Sequence, residues 1–190
     1  MYVPRPVELD LGDVRELHLA DLRATPDGSL VGSTEGGPFR LGLFAPGIVR
    51  LRLGTSALPD YGLIVPEPDP PPVETLAADG RLTLRAGALS VAVDPDQFTV
   101  TLARAGETLL GPPRDGHFRR RHRLPRFAQA PGRWVVAIDL AEAEPVLGHG
   151  EKWGRLDHRG QRLVSWNEDA LGVNAEISYK NVPFAWSPRG

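Results

Sequence analysis

The chain has 190 residues, enough for one domain with a sizeable core but too few to hold a (β/α)8 barrel of roughly 250 residues as well. Its 22 Lys and Arg against 24 Asp and Glu leave a formal charge of −2, which gives no global attraction to nucleic acid or to an anionic membrane and favours a neutral partner. There is no cysteine, which excludes disulfides and thiolate metal sites and makes a reducing compartment, the cytoplasm, the expected one.

No run of 18 apolar residues occurs, and Met1-Tyr2-Val3-Pro4-Arg5-Pro6 leads into an acidic stretch instead of an apolar one, so neither a membrane span nor a signal peptide is expected. The 21 Gly and 19 Pro cut the chain into short segments and weaken helix interiors, which predicts an all-β fold. In chain order, Glu16 to Leu22 and Pro38 to Phe44 alternate loosely, although Leu11, Val14, Leu17 and Leu22 also fit one face of a short helix. Ile48 to Leu53 alternates from Val49 on, with Arg50 and Arg52 expected outside or paired with carboxylates. Pro66 to Pro72, reading PEPDPPP, cannot form a continuous ladder and predicts an exposed connection within one domain spanning 1–190.

Arg81 to Arg85, Ala88 to Val93 and Gln97 to Leu102 alternate between the turn-forming combinations Ala86-Gly87 and Asp94-Pro95-Asp96, which predicts an antiparallel meander. Trp134 to Leu140, Gln161 to Trp166 and Ser178 to Ala185 complete a set of strands large enough for two packed sheets. No repeat of fixed period is visible, so solenoids and propellers lack support.

Few segments suggest chemistry on their own. His149, Glu151, Asp157 and His158 carry nitrogen and oxygen ligands, but their spacing matches no zinc motif, and the nearby Gly148, Gly150 and Gly154 read as tight turns; no metal is expected. His117 to Phe127, HFRRRHRLPRF, holds five arginines and two histidines. In an acidic chain this local patch reads as a solvated hairpin instead of a nucleic-acid surface. Ser165-Trp166-Asn167-Glu168 has the form of a capping box, yet the succeeding Asp169-Ala170-Leu171-Gly172 is too short for a helix and predicts a loop. Glu168 and Asp169 are adjacent, so on extended backbone they face opposite ways and are poorly placed to flank one glycosidic bond. No nucleophile elbow, phosphate-binding loop or dinucleotide fingerprint occurs, and no cofactor is expected.

Four segments in fixed order carry a family signal: Gly148-His149-Gly150-Glu151, then Arg159-Gly160-Gln161, then Trp166-Asn167-Glu168-Asp169, then Tyr179-Lys180-Asn181-Val182-Pro183-Phe184. Upstream, Arg50 and Arg52 and the D-P-x-x-F segment at Asp94, Pro95 and Phe98 stand in the same order. Together they resemble the amino-terminal domain of family 31 glycoside hydrolases, of the α-glucosidase and α-xylosidase type, over about residues 40–190. The resemblance implies an antiparallel β-sandwich of the galactose mutarotase-like (supersandwich) type, packed beside a catalytic (β/α)8 barrel.

In that family the nucleophile and the acid/base aspartate lie on the barrel, expected here after Gly190, so no residue of this chain inherits a catalytic role. What the resemblance assigns instead is a substrate-contacting loop: Asp169 as the sugar contact, with Trp166 and Asn167 as further contacts or, more readily, braces of the loop, and an α-linked oligosaccharide or α-glucoside as the ligand. The chain's end at Pro188-Arg189-Gly190, mid-pattern, is read as a truncation. Two other readings stand beside this one: a stand-alone carbohydrate-binding module, needing an exposed aromatic platform, and a mutarotase-like enzyme using His149 and Glu151. The accessory-domain reading also predicts an exposed apolar surface where the barrel would sit.

Overall fold

The computed structural model describes residues 14–55, 68–113, 125–131, 133–169 and 177–189. Among these there are sixteen strands and no helix. Strand pairing is antiparallel except for one short parallel pair. The chain divides into two compact units, one running through Asp10–Asp139 and the other containing Leu140–Gly190.

In the first unit, β1 (Arg15–Glu16), β2 (Ala20–Ala24), β3 (Ser29–Thr34), β4 (Gly37–Ala45) and β5 (Ile48–Leu53) are followed by β6 (Glu74–Ala78), β7 (Arg81–Ala86), β8 (Leu89–Asp94), β9 (Thr99–Arg104) and β10 (Glu107–Leu110), then by β11 (Phe127–Ala130) and β12 (Arg133–Val136). A four-stranded sheet, β2-β3-β4-β5, and a five-stranded meander, β10-β9-β8-β7-β6, contribute the two inner faces, and β1-β11-β12 forms a third, smaller sheet. The expected β-sandwich is thus present.

Its core follows from strand alternation. Phe39, Leu41 and Leu43 are buried on β4 while Arg40 is exposed, and Leu89, Val91 and Val93 are buried on β8, the period of two that a pleated strand imposes. Leu30, Phe39 and Leu41 join Leu84, Val91 and Val93 in one hydrophobic cluster, and each fully buried aliphatic or aromatic side chain there stabilises the fold by about 1.5–3 kcal/mol. The D-P-x-x-F segment has a structural role in this core. Asp94 accepts from the Gln97 amide at 3.2 Å and from Arg81 Nε at 2.9 Å, closing a turn that leaves Phe98 at φ 43. The Phe98 ring then meets Phe39 edge-on at 5.6 Å and stacks on Phe127 at 4.4 Å.

The structure alters several expectations. Leu17 and Leu22 belong to no helix, and the buried Leu17 and Leu19 come from the link between β1 and β2. Arg50 also lies over the Phe44 ring at 4.2 Å, a contact with an aromatic neighbour that adds to the outward or carboxylate-paired position expected of it. The strand expected over Trp134–Leu140 stops at Val136, and beyond it Asp139 makes a single bridge to Gly111. β3, β6, β10 and β11 were not legible. β6 reads ETLAA with only its central residue partly buried, the signature of an edge strand, which lacks the alternation that periodicity detects. Residues 68–72 of the proline-rich run form no strand; Pro66 and Glu67 lie outside the described residues, as does most of the arginine-rich stretch 117–127.

Candidate substrate-facing loop

The second unit holds all four motifs. Its strands are β13 (Leu147–Gly150), β14 (Trp166–Asn167), β15 (Ile177–Ser178) and β16 (Asn181–Trp186), with β13 antiparallel to β16 and β14 parallel to β15.

Gly148-His149-Gly150-Glu151, expected to be a turn, is a bulged strand instead. Leu147 pairs with Trp186 and Gly148 with Ala185, but Gly150 pairs with Asn181, and the register shifts between them. Gly148, His149 and Gly150 all have positive φ, at 111°, 66° and 75°, which bends the strand at the bulge. The two glycines are required by contact as well as by dihedral angle. A Cβ on Gly148 would lie 2.5 Å from the Phe184 carbonyl oxygen, and one on Gly150 would lie 2.2 Å from that of Lys180.

The strand expected over Gln161–Trp166 is absent before Trp166, because Gln161 is used in closing a turn. Its amide donates to His158 O at 3.0 Å and its Nε2 to Asp157 O at 3.1 Å. Asp157 accepts in turn from the amides of Arg159, at 2.9 Å, and Val146, at 3.0 Å, and these bonds hold its carboxyl below the usual range. The strand expected over Ser178–Ala185 is interrupted at Tyr179–Lys180, so that Ser178 serves β14 while β16 serves β13.

Asn181 ties these pieces together. Its amide donates to Asn167 Oδ1 at 2.7 Å, its Nδ2 donates to the carbonyls of Trp166 and, at 3.2 Å, Ser178, and its Oδ1 accepts from Lys152 Nζ. Lys152 Nζ also donates to Val164 O. One lysine and one asparagine therefore anchor β14 and the segment leading into it, through the carbonyls of Trp166 and Val164, while the Glu168 amide donates to Ser178 O at 3.3 Å. Lys152 was not singled out from the sequence; its signal was only its place directly after the G-x-G-E motif.

Of the three residues assigned to sugar contact, Trp166 is 58% exposed, Asp169 is exposed, and Asn167, also exposed, has its Oδ1 engaged by the Asn181 amide. The loop is thus fixed from below with two side chains directed at solvent. His149 and His158 meet edge-on, with ring centroids 5.7 Å apart. Burial, then the fields of His158 and Lys152, hold the His149 pKa below the ordinary imidazole value. Among the described residues no group of three or more His, Asp and Glu is placed to hold a metal ion, and no helix is long and apolar enough to cross a membrane.

An alpha-xylosidase of Emericella nidulans is 38% identical over 64 residues, which is 34% of this chain and 8% of that protein. The fold matches a Flavobacterium johnsoniae GH31 dextranase, solved with glucose, with a TM-score of 0.69 at 20% identity over 90% of this chain and 21% of the dextranase chain. It also matches an uncharacterised protein of Listeria monocytogenes, with a TM-score of 0.67 at 14% identity over 92% of this chain and 17% of that one. The chain therefore spans only a small part of the length of these relatives. Residues 38–190, four motifs included, match the family described as the glycosyl hydrolase 31 N-terminal galactose mutarotase-like domain, and the chain belongs to that family.

Proposed function

We propose that this chain is the accessory N-terminal domain, 1–190, of a retaining α-glucosidase-type glycoside hydrolase, supporting a catalytic barrel in the same polypeptide and presenting Asp169 to an α-linked sugar. The observation that carries the reading is the W-N-E-D loop: a strand end anchored by Asn181 and Lys152, followed by an exposed carboxylate. A carboxylate on a rigid support accepts two hydroxyl hydrogen bonds without a further entropic cost of ordering its backbone. The family match reaches across both compact units, which supports treating them as one domain. The xylosidase and dextranase names of the relatives support an α-linked glycoside, and the absence of cysteine fits a reducing, cytoplasmic setting.

A barrel neighbour is supported by β16, exposed at every position from Val182 to Trp186. Val182, Phe184 and Trp186 are 47%, 61% and 49% exposed, and their spacing of two puts them on one face of the strand. An apolar strip of this kind is normally covered by protein.

The test is Asp169→Ala in the full-length enzyme. A hydrogen-bonded charge is worth about 1.5–3 kcal/mol, so kcat/KM should fall roughly 10- to 150-fold, chiefly through KM, with the melting temperature unchanged. Unaltered kinetics would remove Asp169 from the sugar site.

A further inference from the structure

β12 ends the small sheet on one side, since the order β1-β11-β12 gives it β11 as its only strand neighbour among the described residues. The Ala137 amide donates to Arg126 O and the Asp139 amide to Gly111 O, each at 2.9 Å. The odd-numbered positions of this segment therefore turn their backbone groups inward. By the alternation of an extended chain, Trp134, Val136 and Ile138 turn theirs to the open edge.

An edge strand left to water is normally blunted by charge, proline or a bulge. Here Trp134-Val135-Val136-Ala137-Ile138 contains neither charge nor proline, and β12 pairs with β11 without a register shift. Trp134, Val136 and Ile138 are 41%, 52% and 46% exposed, and their spacing of two puts them on one face. Val136 shares that face with the core residue Phe127 opposite it. Val136 and Ile138 also border an apolar cavity of about 240 Å³ together with Leu51, Leu102 and Phe127. The apolar inner face of the sheet thus runs out to its edge and stands half in water there.

The residue order along the edge is self-complementary. Arg133-Trp134-Val135-Val136-Ala137-Ile138-Asp139 can be laid antiparallel on a second copy of itself with Val136 at the two-fold axis. Arg133 then stands opposite Asp139 at both ends, Trp134 opposite Ile138, and Val135 opposite Ala137. Opposite charges and apolar side chains meet across the strands, which are the pairings that stabilise an antiparallel ladder. The same register makes Val136 with Val136, and Trp134 with Ile138, the hydrogen-bonded pairs, so every outward amide of the edge finds a carbonyl. A shift of two residues sets Arg133 against Ala137 or Ala141 and loses the charge pair, and a parallel in-register pairing sets arginine against arginine. A self-complementary patch on a two-fold axis closes at two copies.

We propose that β12 is a dimerisation edge, at which two copies of this chain join their three-stranded sheets into one antiparallel sheet centred on Val136. The residues concerned all lie in the unit Asp10–Asp139.

The chain has no cysteine, so a single introduced thiol reports only on contact between copies. In a hydrogen-bonded antiparallel pair the two Val136 Cα atoms lie about 5.5 Å apart, within disulfide range. The two Ile138 Cα atoms are four residues out of register, about 14 Å apart. On mild oxidation of the 190-residue chain, Val136→Cys should give a covalent dimer on a non-reducing gel and Ile138→Cys should not. Sedimentation velocity of the chain without cysteine should show a concentration-dependent dimer. Arg133→Asp, which sets like charges opposite one another, should weaken it severalfold, and Val136→Pro, which removes the central outward amide, should abolish it. Arg133 is exposed, so Arg133→Asp carries the test if Val136→Pro fails to fold. A monomer at every concentration, crosslinking of Ile138→Cys as ready as that of Val136→Cys, or a dimer unaffected by Arg133→Asp would each overturn the proposal.

Discussion

Replacing Gly150 by alanine should destabilise the second unit far more than the same change at Gly160. Both glycines have left-handed φ, 75° and 72°, and both are in the unit containing Leu140–Gly190, so the dihedral cost of about 1–2 kcal/mol is common to them. They differ in space. Around Gly160 an added Cβ meets nothing within 4 Å, whereas at Gly150 it lands 2.2 Å from Lys180 O and 2.8 Å from the Val182 nitrogen. Both obstacles are backbone atoms, and Lys180 O already accepts the Glu151 amide at 2.9 Å, so β16 must shift and the bulge must open. Overpacking of this kind costs about 1–3 kcal/mol more, or ~2–12 °C in melting temperature for a chain of this size. Urea unfolding followed by tryptophan fluorescence reads it, in a Trp134→Phe background that leaves Trp153, Trp166 and Trp186, all in the same unit. Equal midpoints for Gly150→Ala and Gly160→Ala would refute the steric argument.

Acidification offers a second check. The His149 pKa is lowered from 6.5 in the folded chain, chiefly by burial, so below about pH 6.5 the unfolded chain binds more protons and stability falls as pH drops to the folded value; His149→Gln should flatten that part of a urea-midpoint profile. Glu144, lowered from 4.5 by the Ser187 hydroxyl, the Ala141 amide and Arg189, contributes stability that is complete above the unfolded value and lost as pH falls through the folded one, and Glu144→Gln should remove that acid limb. Phe184→Ser, at an exposed position of β16, should reduce self-association of the isolated chain in analytical ultracentrifugation without lowering its melting temperature. The 190-residue chain by itself should not hydrolyse an aryl α-glucoside or α-xyloside, and turnover above background would place catalytic carboxylates within it.

Where one face of a strand meets the core and the other meets water, the fold could be read in advance. The meander β7-β8-β9 alternates clearly and the strand β4 more loosely, and Asp94-Pro95 announced its turn. Edge strands such as β6 bury too little to leave a pattern. In the second unit, alternation misled at Gln161–Trp166, because the groups of Gln161 bond back to Asp157 and His158, a local competition that residue type alone does not reveal. The candidate loop was legible only as ordered motifs. That Asn167 braces the loop through Asn181, while Trp166 is left exposed, depended on contacts between residues 14 and 15 positions apart.

Composition and period thus determined the all-β class by themselves, because glycine, proline and alternation act on neighbouring residues. The motif order carried the family. Tertiary structure alone decided that the G-x-G-E segment is a bulged strand, that Lys152 and Asn181 form the anchor of the loop, and that Trp134, Val136 and Ile138 lie along an open sheet edge. Each of these rests on which distant backbone atoms approach within bonding or contact distance, and the register between strands far apart in the chain sets that distance.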